Sequence, residues 1–403
     1  MSAWLTRHLS MTTLSERTWY RVLACTLGML ASIGLVRYAY SPLVPAMIDH
    51  GWLSSSQVGY IGTINFIGNF IGAFVCAGLS RRFTGGVVCR VALLIGLISV
   101  GLSAIDFGPW WLAGCRFFAG LTAAGGMILA PALVAEGVTG RQRGKLISTV
   151  FAGSGLGVII LSLTLPLVAG DNATWGWLYT AVLTLVCLII AWPGLKSRIA
   201  TEGSSVTTSE ARVYRGRLCL LALAYMFAAA AIVPHSIYLG AYIHVVLKQP
   251  ISFSMMVYAI YGVGVMLGGP LMGGLVARLI GRYLSLVMCM AIGLAAPLMV
   301  VFTTSVWIAV ASGFVLGIAQ MGYASVVTHR VLILAGPGGH IKWWGRLTIV
   351  FNISMAAAAF AMGYMIHLGW GYLAGFWMAA GCFAAAMLFA FTVTIPKGFD
   401  SKS

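Results

Sequence analysis

"IGLVRYAYSPLVPAM" spans Ile33 to Met47 and closes an apolar run that begins near Val22. A run of this kind is long enough to cross a hydrocarbon core, which takes ~20 helical residues. Yet it carries Arg37, fenced by Tyr38 and Tyr40 and followed by Pro42 and Pro45. A cation inside a span costs a few kcal/mol on insertion scales, so such residues usually face an aqueous cavity.

The rest of the chain resembles this run. Of its 403 residues 60% are hydrophobic and only 8% charged, with 50 glycines and a mean hydropathy of +0.97. A soluble protein of this size needs far more charge to cover its surface. The fold class is all-α and polytopic. A membrane barrel would instead alternate in segments of about ten residues. The net charge of +16 invites a nucleic-acid partner. That is rejected, because the basic residues are spread between apolar runs in the manner of the positive-inside rule. No cleavable signal is evident, since a basic first segment leads into a retained span. The eight cysteines lie in or beside apolar runs without metal-type pairing and read as small packing residues; neither a metal nor a cofactor is expected.

Twelve spans are expected, at 21–46, 57–80, 87–106, 109–135, 145–169, 174–194, 217–246, 253–277, 282–303, 305–334, 343–367 and 369–394. The polar, Ser/Thr-rich segment 196–216 reads as a linker between two six-helix bundles, 21–195 and 217–395, flanked by cytoplasmic segments 1–20 and 396–403. With the N-terminus in the cytoplasm, all 24 lysines and arginines except Arg37, Arg116 and Lys248 fall on the cytoplasmic side, so both termini are placed inside. The halves repeat at an offset of 196. Arg21 meets Arg217, Gly68 and Gly72 meet Gly264 and Gly268, Arg82 meets Arg278, and Trp111 meets Trp307. Agreement at one offset argues for a parallel duplication.

Twelve spans in a 6+6 repeat, a central linker and a basic G-L-x-x-R turn resemble the major facilitator superfamily of secondary transporters, over the whole chain. The turn looks like G-x-L-x-D-R-x-G-R, with Arg81 in the place of the acid and Thr84 in that of the second glycine. Glu136 with Arg143 and Gly144 resembles the E-x6-R-G after the fourth helix, and Arg116 with Gly120 resembles its R-x-x-x-G. The opening stretch is similar to G-x-x-R-F/Y-x-Y/F-S/T-P-x-x-P of the YbfB-like bacterial transporters, which Gly34, Arg37, Tyr38, Tyr40, Ser41, Pro42 and Pro45 match. The fifth-helix antiporter signature, centred on Gly-Pro, is missing: Gly153, Gly155 and Gly157 stand there, apart from Pro166. This resemblance implies a monomeric carrier in the bacterial inner membrane, moving a small molecule by alternating access, with helices 1, 4, 7 and 10 lining its cavity.

Within that frame Arg37 and Arg116 are candidates to grip a carboxylate or phosphate bidentately. The bland alternative is that either one caps carbonyls or anchors at the interface. Tyr38 and Tyr40 fall on roughly opposite faces of a regular helix, so only one is expected to share the cavity. Pro42 and Pro45 end or kink the helix and suit a gate. "AIVPHSIYLGAY" (231–242) carries a corresponding break with His235, Tyr238 and Tyr242. An imidazole there could relay a proton. Tyr258 and Tyr261 in helix 8 and Gln320 in helix 10 could read polar groups, whereas Asn65 and Asn69 read as glue between helices. Arg82, Glu136, Arg143 and Pro42 are the gating candidates. In the outward-open state Glu136 is expected to pair with Arg82 or Arg143. No carboxylate lies deep in a span, so the coupling candidates are His235, a protonated substrate, or no proton.

The function expected is secondary transport of a small organic anion. The alternatives are an efflux carrier for a hydrophobic compound and, less well supported, a membrane-embedded enzyme. Paired buried carboxylates, a His/Cys cluster and a Gly-x-Ser-x-Gly turn are all missing. "GRQRGK" (140–145) fails as a phosphate loop at both ends.

Overall fold

The structure, a computed structural model, describes residues 16–80, 82–136, 140–196 and 214–393. Residues 1–15 of the expected N-terminal segment, the C-terminal segment, most of the linker, Arg81 and the side chain of Arg143 lie outside the described residues. Twelve helices among those described are long and apolar enough to cross a membrane. They are α1 Thr18–Asp49, α2 Ser55–Leu79, α3 Gly85–Leu102, α4 Pro109–Ala135, α5 Leu146–Ala169, α6 Ala173–Ala191, α7 Arg215–Val246, α8 Ile251–Val276, α9 Leu284–Val301, α10 Val306–Gly336, α11 Lys342–His367 and α12 Gly371–Thr392. The spans read from the sequence fall on these helices. Ser54 starts α2 with a capping box closed by Gln57. Gly336, at φ 69°, breaks the run from α10 into α11.

α1–α6 and α7–α12 form two bundles built alike. In the first, Gly68, Gly72 and Gly120 let α2 and α4 touch backbone to backbone. A Cβ on Gly72 would stand 2.7 Å from the Leu121 Cα. In the second, Gly264, Gly268 and Gly317 do the same for α8 and α10, and a Cβ on Gly268 would stand 3.0 Å from the Ile318 Cα. Between helices in lipid there is little hydrophobic drive, so close approach of small residues supplies the contact. The outward faces are apolar: Ile98 on α3, Ile189 on α6 and Leu388 on α12 are 59%, 64% and 66% exposed. The bundles meet along α1 and α7, α2 and α11, and α5 and α8.

α1 is not uniform. It is α-helical over Glu16–Met29, widens to π-type turns over Leu30–Arg37, turns at Tyr38 and Ala39, and resumes over Tyr40–Asp49. The cause is local. Pro42 and Pro45 have no N–H to return to Tyr38 and Ser41, and wider turns absorb the mismatch. α7 breaks in the same way, with π-type turns over Pro234–Tyr238 and Tyr242–Val246.

Candidate functional site between the bundles

The break in α1 turns Arg37, Tyr38, Tyr40 and Ser41 toward a pocket of about 30 Å³ between the bundles. Its other walls include Asn65 and Phe66 from α2, Ser236 and Ile237 from α7, and Met355 from α11. The volume holds a water or two, so the bundles are nearly closed on one another here. The Arg37 guanidinium lies 5.3 Å from the Phe66 ring centroid and 5.7 Å from that of Tyr38. Its Nη2 is 3.9 Å from the Met355 sulfur. No described carboxylate lies within ion-pair distance of it.

Both tyrosines line this pocket, against the expectation that only one would. Opposite faces hold for a regular helix, and the chain between residues 37 and 40 is not one. The Tyr38 hydroxyl is 3.3 Å from that of Tyr261, and the Gln320 amide donates to it at 3.5 Å. Tyr261 in turn donates to the Gln320 side-chain oxygen. The three form a small polar network across the bundles. The Tyr40 hydroxyl donates to the Val58 carbonyl at 3.0 Å.

Three expected cavity residues, Arg116, His235 and Tyr238, lie elsewhere; Tyr238 is turned toward Tyr372, their ring centroids 5.9 Å apart. Arg116 is fully buried inside the first bundle. Its Nη1 donates to the Val36 carbonyl at 2.9 Å and its Nη2 to the Ser103 hydroxyl at 3.2 Å, with the guanidinium 4.6 Å from the Trp177 ring centroid. Arg116 thus holds the α1 backbone just before its break, where the Ser41 N–H goes to Tyr38. Asn65 in turn donates to the Arg116 carbonyl at 2.7 Å, as glue between α2 and α4. His235 also turns away from the pocket that its neighbours Ser236 and Ile237 line. Its Nε2 is 3.2 Å from the Ser312 hydroxyl, and its ring stands edge-on to Phe376 at 4.9 Å. The Ser312 hydroxyl also lies 2.6 Å from the Ala309 carbonyl, and the imidazole is fully buried. That is the geometry of a packing imidazole. The offset of 196 makes Ser312 the counterpart of Arg116: each bundle ties its broken helix to its fourth helix from this level.

The ends of the bundles differ. At the end where α1 begins, Arg21 lies 3.5 Å from the Glu136 carboxylate and donates to the Lys196 carbonyl at 3.0 Å. Glu136 is expected to meet Arg82 or Arg143 when the far end is open; here that end is closed, Arg82 is exposed on its turn, the Arg143 side chain lies outside the described residues, and Arg21 is beside the acid. At the far end polar contacts tie the bundles together. Asp49 meets His244 at 2.9 Å, Ser41 donates to the Ser236 carbonyl, Tyr238 to the Ser55 carbonyl at 3.4 Å, and Tyr372 to the Ser55 hydroxyl at 2.8 Å. Ser41 and Ser236 are 195 residues apart, as are Asp49 and His244. Both pairs join α1 to α7 within one position of repeat equivalence. Neither Asp49 nor His244 stands among the candidates read from the sequence, since only the folded chain brings positions 195 apart together.

Twelve helices in two repeated bundles, with a central pocket and one end closed, define a major facilitator transporter. The solved nucleoside transporter NupG superposes on 92% of this chain and 99% of its own, with a TM-score of 0.76 at 11% identity. A bacterial homologue of the human lysosomal transporter Spinster, in an inward-facing and unoccupied conformation, covers 94% of this chain and 97% of its own at a TM-score of 0.73 and 15% identity. Residues 29–397 match the family described as uncharacterised MFS-type transporter YbfB, and the chain belongs to it. Among characterised relatives, the gentisate transporter of Corynebacterium glutamicum is 26% identical over 154 residues, 38% of this chain and 35% of that protein. The niacin transporter NiaP of Acinetobacter baylyi is 34% identical over 123 residues, 30% of this chain and 28% of that protein. The match thus spans about a third of the length of these relatives.

Proposed function

We propose that this transporter carries a small organic anion with ring character across the bacterial inner membrane by alternating access, with its termini in the cytoplasm and its far end outside. The observation that carries this is Arg37. It is a cation in the pocket between the bundles, bounded by Phe66 and Tyr38 and unmatched by any described carboxylate. An uncompensated cation in such a place is costly, and a bound anion relieves the cost. Tyr38, Tyr40, Tyr261 and Gln320 supply apolar faces and polar edges for the remainder of the cargo. The gentisate and niacin transporters, whose named cargoes are carboxylate-bearing rings, support the same class. The pocket as it stands excludes such a cargo, so entry requires the bundles to part. Arg116 is withdrawn to a structural role, and no second cavity cation is needed.

The test is ligand-induced thermal stabilisation of the purified protein. A panel of ring carboxylates, their uncharged amides and hydrophobic cations is compared. Stabilisation by carboxylates alone supports the assignment. Stabilisation by the hydrophobic cations alone would favour an efflux carrier.

A further inference from the structure

We propose that Asp49 and His244 form a proton-binding site that is assembled when the far end of the two bundles closes. The inference rests on the transporter reading above and adds what sets its conformational balance. His244 has acceptors at both ring nitrogens. Its Nδ1 lies 2.7 Å from the Gln249 carbonyl, and its Nε2 lies 2.9 Å from the Asp49 carboxylate. A carbonyl can only accept, so Nδ1 carries hydrogen. A neutral imidazole has one N–H and no more. The contact between Nε2 and Asp49 therefore needs a second proton, whether it resides on the ring or on the carboxyl. Closed, the pair holds one proton more than a neutral histidine beside an ionised aspartate.

The two side chains belong to different bundles, at the ends of α1 and α7. Parting the bundles at this end separates them. His244 is 18% exposed and Asp49 42%, so the proton exchanges with water at this end. It is taken up and returned on the same side. It biases the carrier and is not itself carried, which separates this site from a relay at His235. The other titratable groups at this end are His50 beside Asp49, whose Nδ1 lies 2.9 Å from the Ala46 carbonyl, exposed Lys248 on the loop after α7, His367 at the end of α11, Tyr372 on α12, and exposed Asp106 and Asp171 on the loops of the first bundle. None of these is placed by the contacts above between the two halves of the Asp49–His244 pair.

Because the closed state binds the extra proton, acid favours closure and alkali opens the far end. One linked proton limits the effect to about tenfold in the open-to-closed ratio per pH unit. The experiment measures the distance between spectroscopic labels at positions 107 and 370, exposed at this end on opposite bundles. Unnatural amino acids carry the labels and spare the native cysteines. The ratio is followed in lipid nanodiscs from about pH 5 to 8, where an imidazole changes charge. The short-distance population should rise as pH falls in the wild type, and the slope should flatten in both His244→Gln and Asp49→Asn. His50→Gln and His367→Gln should keep the wild-type slope. A wild-type ratio that ignores pH, or a His244→Gln protein that keeps the slope, overturns the proposal. Solute flux is measured in parallel. A pH-indifferent ratio with intact flux removes only the proton site, whereas a pH-sensitive ratio without flux of any anion removes the transporter reading and leaves the site standing.

Discussion

Arg37 and Arg116 are both arginines inside apolar spans, and the structure gives them opposite surroundings. Arg37 borders the inter-bundle pocket with two rings and a sulfur for company, and Arg116 is spent on a carbonyl, a hydroxyl and an indole. Their substitutions should diverge. Arg37→Lys keeps the charge and loses the bidentate fork. Charge-assisted hydrogen bonds are worth about 1.5–3 kcal/mol, so anion affinity should fall roughly ten- to a hundredfold by equilibrium binding, with the melting temperature unchanged. Arg116→Leu removes the hydrogen bond to the Val36 carbonyl and the ring contact with Trp177, and losing a charged hydrogen bond of this kind costs about 1.5–3 kcal/mol. It should lower the melting temperature, while protein that does fold binds its anion normally. A loss of affinity at unchanged stability in Arg116→Leu would return this residue to the cavity. The sequence told that both arginines matter and could not tell them apart. What separates them is which side chain borders the pocket and which reaches the Val36 carbonyl, and that depends on the path of the backbone through residues 36–41. His235 was expected at the cavity from its place in the repeat, and the π-type turn of α7 there carries Ser236 and Ile237 to the pocket and His235 away from it.

At the scale of the helix, two sets of glycines do different work. Gly120 lies within the first bundle, where a Cβ would run into the Asn65 carbonyl. Gly59 lies between bundles, where a Cβ would run into the Ala359 carbonyl and the Gly363 N–H, 2.7 Å away. Gly120→Ala should therefore destabilise the fold, read as a lower melting temperature and poorer yield. Gly59→Ala should leave the fold standing and hold the far end open, read as increased labelling of cysteines introduced at that end. If Gly59→Ala melts early and labels no better, α2 and α11 do not separate in the working cycle. The glycine repeats were legible as helix packing because close approach in lipid needs small residues at fixed spacing. The division between packing within a bundle and packing across the moving interface was not, since both use the same residue type. The break in α1 was legible from Pro42 and Pro45. Its consequence, that Tyr38 and Tyr40 both reach the pocket, came only with the widened turns.

For the whole molecule the twelve spans and the repeat could be read from hydropathy and one offset, because lipid forces each span to satisfy its own backbone. The state of the two bundles could not. It depends on pairings between residues about 195 positions apart, which no local pattern announces. On the orientation proposed from the charge asymmetry, position 205 faces the cytoplasm and position 171 the outside. A membrane-impermeant thiol reagent on sealed cells should label a cysteine introduced at 171 and leave one at 205 untouched, and labelling of 205 would reverse the orientation. The central claim is that an anion is carried past Arg37. Counterflow in proteoliposomes tests it most directly, with a labelled ring carboxylate outside and the same compound unlabelled inside, for wild type and for Arg37→Gln at matched melting temperature. The wild type should accumulate label transiently and Arg37→Gln should not. Equal accumulation by the two, or accumulation of the uncharged amide in place of the carboxylate, would contradict it.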